Sequence, residues 1–306
     1  MLTDDGVERA ADLVIGADGA RSTVRATVEP RHPDARYAGV LLWRSLVDEQ
    51  AMPRTIALLP DGEPSREVYA GPYRLVTYLV PGEAGQTAVG HRRLNMVWYD
   101  PQQRSLLQER GLLEGQSIRG SLAPGTLPDA VRDRLADFAT ANWPSPWREA
   151  LSLALRDGTV FGTPIVHYEP KRLGRGRVVL AGDAAHAASP MVGGGFRQGL
   201  LDVGALSQVL EPVGSPADVL AALGRCQELR IGPAARQCCA ERAGHCRLSG
   251  PRCALAGLML PSNGHTGWLA PVSRARIAQL VALFPRLAGA RQLSARRAEC
   301  DPARCR

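Results

Sequence analysis

The residue types and spacing best suited to chemistry lie in VVLAGDAAHAASPMVGGGFRQGLLDVGAL, residues 178–206. An apolar run ends at Gly182, whose missing side chain lets a ligand approach the backbone. Asp183 follows, and a carboxylate at the carboxyl end of a buried strand can accept hydrogen bonds from ligand hydroxyls. Pro190 and three glycines at 193–195 then open a helical pattern, whose first amides would favour an anionic group. The alternative is an ordinary strand–turn–helix in which Asp183 only caps a helix.

A second candidate segment is ADLVIGADGARSTVR, residues 11–25. Its pattern predicts a strand that ends in a turn at Asp18-Gly19, with Ser22 as the N-cap of a short helix. A strand ending in Asp-Gly is by itself a common turn. Its interpretation as part of a site therefore depends on its pairing with the first segment, which it precedes in the chain.

The two segments resemble the Asp-Gly and Gly-Asp motifs of the FAD-dependent aromatic hydroxylases, flavoprotein monooxygenases of the para-hydroxybenzoate hydroxylase fold. Residues 37–99 are most similar in pattern to the dihydroxypyridine hydroxylase branch. The resemblance implies that Asp183 binds the ribityl chain of FAD and that the Asp-Gly segment lies between the cofactor and NAD(P)H. Gly194 and Arg197 stand where many members have Gln and Asn. The cofactor-binding residues that the resemblance implies are Asp18, Gly19, Arg21, Arg25, Gly182, Asp183, Pro190, Gly193, Gly194 and Gly195.

The elements that must position these residues indicate an α/β fold, a partial Rossmann-like FAD-binding domain with an inserted β-sheet substrate domain. Hydrophobic periodicity predicts strands at 11–16, 40–47, 55–59, 73–80, 94–99, 160–167 and 177–181. It predicts helices at 102–113, 128–142, 147–156, 196–210 and 217–229. The predicted divisions are the Asp-Gly part at 1–36, the substrate-binding sheet and helices at 37–170, the Gly-Asp part at 171–225 and an Arg- and Cys-rich region of uncertain order at 226–306.

One motif of the family is missing from these 306 residues: the G-x-G-x-x-G turn that holds the ADP pyrophosphate. The resemblance therefore implies an N-terminally incomplete monooxygenase, in which a separate N-terminal half is a possible partner. A non-catalytic remnant, or a subunit that needs such a half, is an open alternative.

The function implied by the resemblance is hydroxylation of a small aromatic or heteroaromatic substrate with NAD(P)H and O2, since the cofactor carries the difficult chemistry. Epoxidation or reduction of an isoprenoid on the same fold is a further alternative. No catalytic residue can be assigned. His91, His167 and Tyr168 are candidates for lining the substrate pocket, and His186 either supports the cofactor site or packs in the core.

Composition and charge limit which other kinds of partner the sequence predicts. The length suits about two domains. The sequence contains no run of 18 apolar residues, so it predicts no membrane span. The net charge of +7 is concentrated in 226–306, which holds 13 Arg, four acidic residues and all seven cysteines. We therefore expect no nucleic-acid partner. We also expect no metal site, because the cysteines lack paired C-x-x-C spacing. The protein is expected to be cytoplasmic, and its residues 226–306 are expected to be dispensable for the rest of the fold.

Overall fold

The computed structural model describes residues 6–8, 10–52, 59, 65–190 and 194–249, with side chains described only for Cys238 and Cys239 beyond residue 236. Three sequence predictions fall wholly or mostly outside these residues. They are the strand at 55–59 (apart from Leu59), the position of Gly193 and an amphipathic helix that the apolar spacing of residues 277–287 predicts.

The described chain begins with strand β1, Val14–Gly16, followed by the single-turn helix α1, Arg25–Val28. The predicted strand at 11–16 is thus confirmed in its second half. The Ser22 hydroxyl accepts a hydrogen bond from the backbone amide of Arg25 at 2.9 Å. That contact satisfies one amide at the start of a helix too short to stabilise itself.

The middle of the chain forms an antiparallel sheet of seven strands in the order β3-β4-β5-β2-β7-β6, with β8 also paired to β2. The expectation of at least four mostly antiparallel strands is confirmed. Strand β3 was not predicted, because its first three residues are all polar and show no alternation of apolar and polar side chains. The strands are β2 (Arg36–Asp48), β3 (Ser65–Ala70), β4 (Tyr73–Val80), β5 (Arg93–Asp100), β6 (Leu113–Glu114), β7 (Ser117–Ile118) and β8 (Phe161–His167).

Helices cover one face of this sheet and build the main core against it. They are α2 (Arg104–Glu109), α3 (Asp129–Asn142) and α4 (Trp147–Arg156). The ring of Trp98 stacks on Phe138 at 5.1 Å and meets Trp143 edge-on at 5.7 Å between centroids. Trp43 is also buried, and its indole donates a hydrogen bond to the Asp100 carboxylate at 2.9 Å. Both tryptophans fall within predicted strands, which favours core positions, and the structure confirms that they are core residues.

The chain then returns to β1 and builds a smaller α/β layer. The elements are β9 (Gly174–Arg175), β10 (Val178–Leu180), α5 (Asp183–His186), α6 (Gly194–Leu210) and α7 (Val219–Ser249). β10 lies between β1, to which it is parallel, and β9, to which it is antiparallel. An apolar interface that includes Leu206, Leu223 and Cys226 joins α6 to α7. The mixed α/β class predicted from the sequence is confirmed.

Helix α7 corrects one expectation about the C-terminal region. The helix passes through the predicted division at residue 225 and continues far beyond the predicted end at 229. Arg230, Ala234 and Cys238, all within the part expected to be dispensable, are buried. The expectation is therefore wrong for the beginning of this region. Gly232 and Pro233 explain the error, because in a sequence they indicate a helix end. None of the helices in the described ranges is long and apolar enough to cross a membrane.

Candidate cofactor site

The two sequence motifs meet where β1 and β10 end. The strands are in parallel register, with Gly16 opposite Leu180, and the Ala181 amide donates to the Gly16 carbonyl at 2.9 Å. Each strand then passes directly into its motif, Asp18-Gly19 in one case and Gly182-Asp183 in the other. The carboxyl ends of neighbouring parallel strands share one edge, which is where open α/β sheets bind ligands.

Gly182 makes the turn from strand to helix in a conformation that requires glycine. Its φ is +61° and its ψ is −143°, a combination that side chains with a Cβ rarely adopt. Its amide donates to Oδ2 of Asp202 at 2.9 Å. The sequence requirement for Gly at this point is therefore a backbone requirement.

Asp183 is the first residue of α5 and is exposed. Its carboxylate makes no hydrogen bond to another residue in the part of the chain that the structure describes. A Cβ placed on Gly195 would come within 3.8 Å of Asp183 Oδ1, and one on Gly199 within 3.8 Å of the Gly182 Cα. The glycines of α6 thus let that helix pass close to a free carboxylate, which can accept hydrogen bonds from a ligand.

Asp18 has a different environment, since its carboxylate is already occupied. Its Oδ2 accepts hydrogen bonds from the amide of Thr23 at 2.7 Å, the Thr23 hydroxyl at 3.1 Å and the amide of Val24 at 3.2 Å. Partial burial opposes ionisation, but hydrogen bonds from Ser22 and these amides outweigh it and lower the pKa of Asp18. Asp18 therefore fixes the loop that enters α1.

Arg25 joins the two motifs from inside the protein. The side chain is buried, and its Nε donates to the Ala184 carbonyl at 2.7 Å while Nη2 donates to the Asp183 carbonyl at 3.0 Å. Nη1 donates to the carbonyls of Ala20 at 3.0 Å and Pro33 at 3.1 Å. Its guanidinium carbon also lies 4.1 Å from the Tyr168 ring centroid. Among the described residues, Arg25 therefore fixes the backbone of both motifs.

The other predicted residues lie around the same edge. Gly19 has a φ of +79°, and Arg21 next to it is exposed. Pro190 is exposed, Gly194 is the first residue of α6, and Gly193 lies outside the described residues. Gly19 and Gly194 adjoin Asp18 and Gly195 in the chain, and the assignment of each of these residues to a bound cofactor stays a prediction.

A buried polar cluster behind Gly182 was not predicted as a unit. Asp202 Oδ2 also contacts His186 Nε2 at 2.5 Å, and Asp202 Oδ1 accepts from Arg230 Nε at 2.8 Å. Arg230 Nη2 donates to the Gln198 side-chain carbonyl at 2.6 Å. Asp202 lies in the segment that resembles the Gly-Asp motif and matches the family pattern there, but nothing in the sequence indicated that Arg230, 28 residues later, would reach it.

The candidate substrate residues separate in the structure. His91 is exposed in the loop before β5 and is hydrogen-bonded to Gln50 at 2.9 Å. His167 ends β8, and the following Tyr168 donates its backbone amide to the Ala187 carbonyl at 2.7 Å. Burial raises the pKa of the Tyr168 phenol, although Arg25 opposes the shift. Tyr168 therefore adjoins the segment after α5, whereas His91 belongs to a surface loop.

The sheet face away from α3 and α4 carries a second apolar cluster. It contains Val40, Leu42, Val97, Tyr99 and Ile165. β2 and β8, which contribute three of these residues, are the strands whose ends approach the Gly182-Asp183 edge through Ala35, Tyr168 and Ala187. An apolar sheet face therefore extends from the candidate cofactor edge.

Comparisons with known proteins agree with this geometry. A family model described as an FAD binding domain matches residues 162–216, and one described as FAD binding domain-like matches residues 37–156. The phenazine 1,6-dicarboxylic acid hydroxylase of Lysobacter antibioticus is 29% identical over 226 residues, which cover 73% of this chain and 49% of that protein. The 2,6-dihydroxypyridine 3-monooxygenase of Paenarthrobacter nicotinovorans is 28% identical over 226 residues, 68% of this chain and 51% of that protein.

A solved structure gives the same result for the fold. The structure of Klebsiella pneumoniae HpxO complexed with FAD and uric acid superposes with a TM-score of 0.56 at 26% identity, covering 81% of this chain and 55% of that one. The chain spans about half the length of the curated relatives it matches. The matches extend over both the sheet and the Gly182-Asp183 segment, and the chain belongs to the FAD-dependent aromatic hydroxylase family.

Proposed function

We propose that this chain forms the flavin- and substrate-binding part of an FAD-dependent monooxygenase that hydroxylates an aromatic or heteroaromatic ring with NAD(P)H and O2. The observation that carries the proposal is the exposed Asp183 carboxylate, which follows the parallel strand β10 and has no hydrogen-bond partner among the described residues. The matched relatives named as a phenazine dicarboxylic acid hydroxylase and a dihydroxypyridine monooxygenase support the reaction class.

The residues present fit the flavin end of FAD. A free carboxylate next to a glycine turn suits the hydroxyl-rich ribityl chain, because each hydroxyl can donate a hydrogen bond. Gly195 leaves space beside that carboxylate, and the amides that begin α6 carry partial positive charge. When bound, FAD would supply the redox chemistry and the activation of O2.

The sheet would supply the substrate side of the site. The buried apolar cluster that includes Val40, Leu42 and Ile165 lies on this side of the sheet and makes the wall behind the proposed substrate position apolar. Tyr168 is close to this edge, and its contact with Ala187 ties the sheet to the end of α5. We propose that the ring is held between this face and the flavin. A reaction that consumes NAD(P)H also fits a cytoplasmic location, where that reductant is produced.

The ADP end of FAD needs residues beyond those described. The 306 residues contain no G-x-G-x-x-G turn, and the relatives are about twice as long as the matched region. We propose that an ADP-binding half, in the same polypeptide or in a separate one, completes the site. Among the described strands β1 has a neighbour on one side only, and this edge provides a surface for that half, together with the exposed apolar side chains of Phe196, Leu200 and Val203 on α6.

A comparison of three flavins tests the proposal on the full chain. Riboflavin, FMN and FAD would be titrated in turn, and quenching of flavin fluorescence would give each dissociation constant. We expect the three dissociation constants to agree within about threefold, because the described residues would contact the ribityl chain and flavin ring that all three molecules share. A preference for FAD of more than about a hundredfold would mean that this chain already holds the ADP end. Absence of binding for all three would overturn the proposal.

A further inference from the structure

Helix α5 carries Asp183 but is only four residues long, Asp183–His186. A single helical turn is unstable by itself, because one or two hydrogen bonds do not offset the entropy of fixing its backbone. The direction of the Asp183 carboxylate must therefore be set by contacts that α5 makes with the rest of the protein.

One carboxylate holds both ends of α5. Asp202 Oδ2 accepts from the Gly182 amide at 2.9 Å, immediately before the helix, and contacts His186 Nε2 at 2.5 Å, at its last residue. Arg25 holds the opposite side through the carbonyls of Asp183 and Ala184. The short helix is thus fixed from two sides by hydrogen bonds to buried charged groups, which are stronger than neutral ones.

The long helix α7 supplies the counter-charge that this arrangement requires. Asp202, His186 and Arg230 are only 3%, 2% and 6% exposed, and a buried carboxylate without a partner is strongly unfavourable. Burial opposes ionisation of Asp202, but His186, Arg230 and the Gly182 amide outweigh it and lower its pKa. Arg230 also donates to Gln198 on α6 at 2.6 Å, so it is connected to both helices that flank the site.

The contacts between α6 and α7 do not depend on this cluster alone. Val209, Ala222 and Leu223 are buried in an apolar interface between the two helices. Loss of the polar cluster would therefore act first on α5, and only second on the docking of α7.

We infer that Asp202, His186 and Arg230 form a positioning cluster that fixes α5, and that α7 thereby controls how well the Asp183 carboxylate binds flavin. The inference rests on the proposed function for the identity of the ligand. These three residues do not contact the ligand themselves. Their effect passes through the Gly182 amide and the helix that it begins.

The test compares Arg230→Met with two controls in the full chain. Arg236→Met makes the same substitution at an exposed position of α7, and Leu223→Ala weakens the α6–α7 interface without touching the cluster. Riboflavin dissociation constants would be measured at a temperature where every variant is folded. Thermal midpoints would be recorded alongside.

We expect Arg230→Met to weaken riboflavin binding by about tenfold or more, because a charged hydrogen bond supports the ligand-binding backbone. Leu223→Ala should lower the thermal midpoint but change affinity by less than about threefold. Arg230→Lys, which restores the charge, should recover part of the loss. If Arg230→Met and Leu223→Ala lose affinity equally for an equal fall in midpoint, the cluster only stabilises the fold and the inference is wrong.

Amide hydrogen exchange separates this inference from the proposed function. In protein without flavin, exchange across residues 182–186 should speed up in Arg230→Met and Asp202→Asn, and stay unchanged in Arg236→Met. If the unmodified chain binds no flavin but exchange changes in this way, the proposed function fails and the positioning cluster stands. Unchanged exchange in both cluster variants would overturn the inference even if the chain binds flavin.

Discussion

Two regions that are named for their proposed roles, the substrate region (36–167) and the flavin region (6–35 and 168–249), differ in how completely they bury their apolar side chains. The substrate region has seven strands and one large core. The flavin region has a sheet of three strands, each two or three residues long, and smaller clusters. Eight of the eleven large apolar side chains that are exposed among the described residues belong to it: Val7, Ile15, Phe196, Leu200, Leu201, Val203, Leu220 and Leu229.

The difference indicates that the flavin region leaves more apolar surface for a further partner than the substrate region does. Phe196, Leu200 and Val203 recur at helical spacing on α6, and Phe196 is 81% exposed. An apolar stripe of this kind marks an interface. Its position beside a sheet in which β1 is an edge strand among the described residues agrees with a chain that spans about half the length of its relatives. The flavin region therefore has to be held together by buried polar contacts to a greater degree than the substrate region.

Separate probes report the two regions. Four of the five tryptophans, Trp43, Trp98, Trp143 and Trp147, lie in the substrate region, and Trp268 lies outside the described residues. In a Trp268→Phe background, tryptophan fluorescence reports unfolding of the substrate region. Bound riboflavin reports the flavin region, and far-UV circular dichroism follows both.

Truncation after Leu229 should give the largest effect. It removes Arg230 and leaves the Asp202 carboxylate buried without its guanidinium partner, which costs about 3–5 kcal/mol. Urea unfolding followed by circular dichroism should lose stability by that amount, while the tryptophan-reported midpoint changes little. Truncation after Ser249 is the control. An unchanged circular dichroism transition after the first truncation would show that α7 is not part of the flavin region.

Leu75→Ala should destabilise the substrate region and leave the flavin region unchanged, the opposite of the truncation. Leu75 on β4 is fully buried in the main core, and a leucine truncated to alanine at such a site costs about 2–5 kcal/mol. The tryptophan-reported urea midpoint should fall accordingly, with riboflavin affinity retained wherever the protein is folded. Loss of riboflavin binding by the folded variant would mean that the two regions are not separable.

Gly182→Ala should have a smaller effect, limited to the flavin region. The residue adopts a φ of +61° with a ψ of −143°, and forcing a side chain into this conformation costs about 1–3 kcal/mol. We expect weaker riboflavin binding and an unchanged tryptophan transition. Gly111→Ala, at a φ of +67° in the substrate region, is the matched control and should leave riboflavin affinity as it is.

Glu49 predicts a small acid-dependent effect in the substrate region. Hydrogen bonds from Arg92 and the Gly90 amide lower the pKa of Glu49 from its ordinary value of 4.5, against the opposing effect of partial burial. Because the pKa is lower in the folded state, this contribution is complete above pH 4.5 and is lost as the pH falls through the lowered value. Glu49→Gln should therefore reduce the acid sensitivity of the tryptophan-reported midpoint. If the midpoint of Glu49→Gln depends on pH as that of the unmodified chain does, the Glu49–Arg92 pair contributes nothing to stability.

Periodic segments were predictable because their own side chains determine them. Strand β4 and helix α4 have the predicted bounds, since alternation and helical spacing are continuous there. The family resemblance implied that the two motifs serve one cofactor, and the parallel pairing of β1 with β10 brings their ends to one edge. Helix α7 was predicted to end twenty residues too early, because tertiary packing tolerates Pro233 inside a helix.

Site roles were harder to predict than site positions. Arginine beside a cofactor motif suggests contact with a ligand, yet Arg25 donates to backbone carbonyls. Asp18 and Asp183 have the same side chain and similar neighbours in the sequence. Only their hydrogen bonds distinguish an occupied carboxylate from a free one, and these depend on how the loop after each motif folds back.

The most direct test of the central claim is the riboflavin affinity of Asp183→Ala against that of Asp157→Ala, a second exposed aspartate in the substrate region. Titration of the full chain by flavin fluorescence should show about tenfold or greater loss for Asp183→Ala, since a hydrogen bond to a charged acceptor is removed. Asp157→Ala should bind like the unmodified chain. Equal affinity in all three proteins would contradict the account, because the free carboxylate after β10 would then have no part in holding a flavin.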